Sequence, residues 1–75
     1  STELHMTSNY IEIIPSCINI LKNLKKMYLE NNRIVIIPNE LFELTNLEIL
    51  YLNWNKITNI PIKIINLSNL KELCL

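Results

Sequence analysis

Residues 24–46 read LKKMYLENNRIVIIPNELFELTN, and residues 47–69 read LEILYLNWNKITNIPIKIINLSN. Placed one above the other, the two stretches share the pattern L-x-x-M/L-x-L-x-x-N-x-I-x-x-I-P-x-x-L/I-x-x-L-x-N. The step is 23 residues, and it carries Leu24 to Leu47 to Leu70, Met27 to Leu50 to Leu73, Leu29 to Leu52 to Leu75, and Asn9 to Asn32 to Asn55. A fixed step of this size means that one supersecondary unit is stacked on copies of itself, each too small to bury its apolar face alone.

The L-x-x-L-x-L-x-x-N core, at a period inside the range of about 20–29 residues, resembles the leucine-rich repeat. The resemblance covers the whole chain, residues 1–75, as three repeats and a partial fourth. In the first copy Ser1 takes the slot of Leu24, while Leu4, Met6, Asn9, Ile11, Ile14, Pro15, Ile18 and Leu21 keep the pattern. The I-P-x-x-I-x-x-L-x-x-L segment is similar to the short-repeat class of intracellular signalling scaffolds, including the Ras-linked and polarity-scaffold groups. The resemblance implies an α/β solenoid with a concave parallel β-sheet, short 3₁₀ or irregular convex segments, and protein or peptide partners. Leu75 falls inside the L-x-L core of the fourth copy, so the expectation is a piece of a longer array.

Composition bears on the partners. The 75 residues are 49% hydrophobic, and seven basic against seven acidic residues give a formal net charge of +0. A neutral chain lacks the basic field that concentrates nucleic acid, which argues against that partner. The longest aliphatic run, Ile34 to Ile37, ends at Pro38, far short of the ~18 residues of a membrane span. No secretory signal pattern opens the chain. The two cysteines, Cys17 and Cys74, lie on opposite sides and three repeats apart, beyond the ~7 Å between alpha carbons that a disulfide tolerates. Unbridged cysteines favour a reducing compartment, and the expected location is the cytoplasm. With no glycine in the chain, the turns are expected to fall to asparagine, which tolerates left-handed backbone.

Within each unit the alternating x-L-x-L-x positions predict a strand: Glu3 to Thr7, Lys26 to Glu30, Glu48 to Asn53, and Glu72 to the end. Alternation sends Leu4, Met6, Met27, Leu29, Leu50, Leu52, Leu73 and Leu75 inward and the residues between them outward. Asn9, Asn32 and Asn55 follow the strands, where backbone groups lose ladder partners that an amide side chain can replace. Pro38 and Pro61 open the return segments, where apolar residues three apart suit a tight 3₁₀-like turn.

The outward positions hold the candidate chemistry. One lateral column reads His5, Tyr28, Tyr51, Cys74, the next Glu3, Lys26, Ile49, Glu72, and a third Thr2, Lys25, Glu48, Lys71. Opposite charges on neighbouring strands suit surface ion pairing. His5 and Cys74 stand at opposite ends of the sheet, so no set of three or four convergent zinc ligands forms. There is no glycine-rich phosphate loop, no paired acid and base, and no nucleophile beside a base, so neither a catalytic role nor a cofactor is expected. Asn66-Leu67-Ser68 fits the glycosylation triplet, and in an asparagine-rich chain chance accounts for it.

Aromatic side chains dominate interface energetics, which singles out Tyr28, Tyr51 and Trp54 with Ile49 as partner-binding anchors, and Lys26, Glu30 and Asn53 as their rim. Cross-strand packing of the tyrosines is the competing account. The leading reading is a non-enzymatic module that binds a protein or peptide on its concave face. The alternative is a targeting or regulatory arm of a larger kinase, GTPase or ubiquitin ligase. The exposed terminal strand also offers a route to self-association.

Overall fold

The computed structural model describes residues 2–75, so the slot assigned to Ser1 lies outside the described residues. Four short parallel strands, β1 (Glu3–His5), β2 (Lys26–Tyr28), β3 (Ile49–Tyr51) and β4 (Glu72–Cys74), lie side by side in chain order. Register follows the sequence step: Leu4 sits beside Met27, Met27 beside Leu50, and Leu50 beside Leu73. Between strands the chain returns through three 3₁₀ helices, η1 (Ser16–Ile20), η2 (Asn39–Glu43) and η3 (Ile62–Asn66).

Each return is set by its proline. Pro15, Pro38 and Pro61 stand immediately before the helices, and their ring-fixed φ angles of −70°, −70° and −59° hold the backbone extended there. Their carbonyls accept the N–H groups of Ile18, Leu41 and Ile64, each at 3.1 Å, and the same three-residue bonding continues from Leu44 to Leu41 and from Leu47 to Leu44. Residues three apart eclipse in this geometry. Leu41, Leu44 and Leu47 therefore line up on one side and are completely buried.

Burial depends on position in the stack. Met27 and Leu50, on the central strands, are fully buried, whereas Leu73, in register with Leu50, is 40% exposed. Leu4 is partly buried, and Met6 and Leu75 are exposed. All of them occupy inward positions; the difference is whether a repeat lies on both sides to cover them, as expected of a solenoid.

Two expectations about the backbone need correction. The regular strands are shorter than expected, each three residues long, because paired bonding gives way to single bonds as the backbone turns: Leu29 N–H to Tyr51 carbonyl at 2.9 Å, then Asn31 N–H to Asn53 carbonyl at 3.1 Å. The left-handed turning is also not the work of asparagine as a class. Positive φ falls on Ser8, Tyr10, Asn31 and Trp54, at 60°, 57°, 59° and 60°. Ser8, Asn31 and Trp54 are one step of the repeat apart, each just before a ladder asparagine, so the turn belongs to the position in the repeat and imposes itself on whichever residue stands there.

The ladder asparagines have a different task. The Asn32 side-chain amide donates to the carbonyls of Met6, Leu29 and Glu30 at 2.9, 2.9 and 3.3 Å, while its Oδ1 accepts the backbone N–H groups of Asn9 and Ile11 at 2.9 and 3.0 Å. Asn55 repeats this one unit on, donating to Leu29, Leu52 and Asn53 and accepting from Ile34. Asn9 departs from the expectation: it is exposed, and among the described residues its side chain donates only to the Thr7 carbonyl. A second ladder went unrecognised although its asparagines stand in the repeat pattern: Asn46 donates to the Lys22 carbonyl at 3.0 Å and Asn69 to the Thr45 carbonyl at 2.8 Å.

Candidate functional site

The outward face of the sheet carries the tyrosine column. Parallel register places His5 beside Tyr28, Tyr28 beside Tyr51, and Tyr51 beside Cys74. The His5 and Tyr28 rings stack at 4.6 Å with 22° between their planes, and Tyr28 and Tyr51 meet edge to face at 5.2 Å. Both separations lie within the range of favourable aromatic pairs. The two tyrosines are half-buried. His5 remains exposed, as a surface histidine should, but it extends the column by one ring and its Nε2 lies 2.9 Å from Glu3 Oε1.

The charged columns beside it are engaged across the strands. Lys26 Nζ lies 3.7 Å from Glu3 Oε2, and Lys71 Nζ lies 3.7 Å from Glu48 Oε1. Such exposed pairs contribute only about 0–1 kcal/mol, so their main effect is on charge pattern and orientation. The hydrogen bond from His5, opposed by desolvation and aided by the Lys26 ammonium, holds the Glu3 carboxyl below the ordinary carboxylate range. The Tyr51 hydroxyl donates to Glu72 Oε1 at 3.3 Å. Desolvation first, then the Glu72 carboxylate, raises the Tyr51 phenol above its ordinary range.

Among the residues singled out from sequence, Tyr28 and Tyr51 come into direct ring contact, and Ile49 lies between Lys26 and Glu72 in the adjacent column. Glu30 accepts the Thr7 hydroxyl of the preceding repeat at 3.0 Å. Asn53 is half-buried, and its carbonyl accepts the Asn31 N–H and the Asn55 amide. Trp54 stands apart: it is 76% exposed, shares no ring contact with the tyrosines among the described residues, and borders a depression with Tyr10, Arg33 and Lys56.

Tyr10 was missed. It is 71% exposed, and the Arg33 guanidinium lies over its ring at 4.7 Å, a favourable placement of a cation on an aromatic face. The signal was present in the sequence, since Tyr10, Arg33 and Lys56 are one repeat step apart and must stand side by side. Cys17 and Cys74 are free and exposed. Among the described residues no three His, Cys, Asp or Glu side chains converge, and no helix is long and apolar enough to cross a membrane.

Known proteins share this architecture. The leucine-rich repeat family model matches residues 22–75, and the chain belongs to that family. A solved leucine-rich repeat protein of Leptospira interrogans is 37% identical over 87% of this chain, with a TM-score of 0.84. This chain spans 17% of that protein's length. No curated protein is similar enough to count as a match. Domains of this family generally mediate protein–protein interaction.

Proposed function

We propose that the chain is a binding module, not a catalyst, and that its concave sheet takes a protein or peptide partner. The observation that carries this reading is the half-buried Tyr28–Tyr51 pair on the outward face, at 5.2 Å, with Ile49 in the next column. Rigid aromatic side chains in a fixed row lose little freedom on binding and bring large contact area. Lys26 and Glu30, oriented by Glu3 and Thr7, supply polar groups around it, with Asn53 and Trp54 at the edge beyond β3. The balanced charge favours a protein over a nucleic acid. The exposed free thiols of Cys17 and Cys74 suit the reducing cytoplasm, where a signalling-scaffold role fits a surface built for partners.

The test is to select a partner on the folded chain and compare Tyr28→Ala and Tyr51→Ala with the return-side control Lys63→Ala. Truncating a true interface anchor costs about 2 kcal/mol or more of binding energy. Loss confined to Tyr28→Ala and Tyr51→Ala, with unchanged melting temperature, supports the concave reading. Equal affinity in all three variants overturns it and leaves the tyrosines as sheet packing.

A further inference from the structure

A second surface lies outside the sheet, on the flank where the chain leaves each strand. Two adjoining depressions there share Arg33 and Lys56 as a common wall. One, of about 380 Å³, is bordered by the rings of Tyr10 and Trp54. The other, of about 610 Å³, is floored by Ile13, Val35 and Ile36. These three aliphatic side chains are 77%, 45% and 74% exposed and line one groove across two repeats. Contiguous exposed apolar surface rimmed by charge marks an interaction site more often than scattered single residues do.

Charge selects the occupant. Neither Arg33 nor Lys56 has a carboxylate partner among the described residues, which holds for Lys25 and Lys63 too, but Arg33 and Lys56 stand together at the shared wall. Glu12 borders the apolar groove, so the flank carries two cations against one carboxylate. Arg33 uses its face on Tyr10, which leaves the in-plane N–H edge for a bidentate bond to a planar anion. Two cations beside an aliphatic floor are too few for a phosphate backbone and well matched to a carboxylate with apolar neighbours.

We propose that this flank is a second recognition surface, separate from the concave sheet, which takes an extended acidic peptide segment of a protein partner, its carboxylate between Arg33 and Lys56 and its apolar side chains on Ile13, Val35 and Ile36. The segment gains direction from the charged wall and contact area from the floor.

The experiment is a selection of displayed random peptides on the whole 75-residue chain, followed by fluorescence titration of the enriched peptides. Trp54 is the only tryptophan, so its emission reports occupancy directly. The expected result is enrichment of Asp or Glu next to Leu, Ile or Val. Binding should weaken about tenfold or more on amidating the peptide carboxylates or on Arg33→Gln, the loss of one charge-assisted pair. Ile36→Ser should also weaken it, while Tyr51→Ala should leave it unchanged; equal melting temperatures of the variants exclude misfolding. Enriched peptides without acidic residues overturn the proposal, as does binding that is lost in Tyr51→Ala and kept in Arg33→Gln. Competition by a single-stranded oligonucleotide or inorganic phosphate at the same strength overturns it too, by showing a general anion site. The concave reading survives each of these failures, because its own test turns on Tyr51.

Discussion

The side-chain amide of Asn55 donates to the backbone carbonyl of Leu29, 26 residues earlier, at 2.9 Å. Asn32 makes the matching bond to Met6, also across 26 residues and at 2.9 Å. Each bond ties the turn of one repeat to the strand exit of the repeat before it. The asparagine is thus a joint between units, and the stack depends on it where regular strand pairing has ended.

That role separates the three members of the ladder. Asn32 is buried and bonded on both sides, so Asn32→Leu strands several backbone groups at once; with each unmet group costing ~1–3 kcal/mol, a loss of about 3 kcal/mol is expected. Asn9 is exposed, and among the described residues its side chain bonds to the Thr7 carbonyl alone, so Asn9→Leu should cost under about 1 kcal/mol. Chemical denaturation of the two variants checks this. Equal losses would mean that the amides are interchangeable surface groups.

Trp54 carries a conformational cost. A non-glycine residue in the left-handed region gives up about 1–2 kcal/mol, and its ring, 76% exposed, regains little of it by packing. Trp54→Asn, which copies the residue at the equivalent position 31, should therefore raise stability by about 1 kcal/mol. A drop in melting temperature would show that the ring contributes packing beyond its borders with Asn55 and Lys56.

Much of the fold was legible because the repeat step converts directly into register. Met27 beside Leu50 and Tyr28 beside Tyr51 follow from counting alone. The proline-led 3₁₀ returns were legible for the same reason, since Pro38 sets the backbone and the three-residue spacing of Leu41 and Leu44 sets the face. Backbone handedness was not. Residue preference points to asparagine for positive φ, but the turn sits at a fixed place in the repeat and takes Ser8 and Trp54 as readily as Asn31. The Tyr10–Arg33 contact was hidden because Tyr10 occupies a slot that is cationic in the next two copies, and the periodic pattern draws attention to residues that match rather than to the one that differs.

Tyr51 should report its surroundings in alkaline solution. Its phenol is raised above the ordinary tyrosine value by desolvation and by Glu72. The folded chain therefore holds this proton more tightly than the unfolded chain. The resulting stabilisation is fully present below the ordinary value and is lost as pH rises through the folded one. Glu72→Gln should lower the Tyr51 transition in an absorbance titration; an unmoved transition would remove Glu72 as a cause.

The 75-residue chain should self-associate. β1 and β4 are the two edges of one parallel sheet, with Met6, Leu73 and Leu75 exposed nearby at 37%, 40% and 57%. Unpaired edges template further pairing, and β4 of one copy against β1 of the next makes a head-to-tail contact that does not close. Sedimentation should show mass growing with concentration, less so for Leu73→Glu. A single monomeric species across the high micromolar range would contradict this.

Recognition on the concave sheet is tested most directly by amide NMR shift mapping with a partner selected on the folded chain. The expected result is that perturbations centre on Tyr28, Ile49 and Tyr51 and fade across η1, η2 and η3. Perturbations centred on the return helices, with the β2 and β3 amides unmoved, would contradict it.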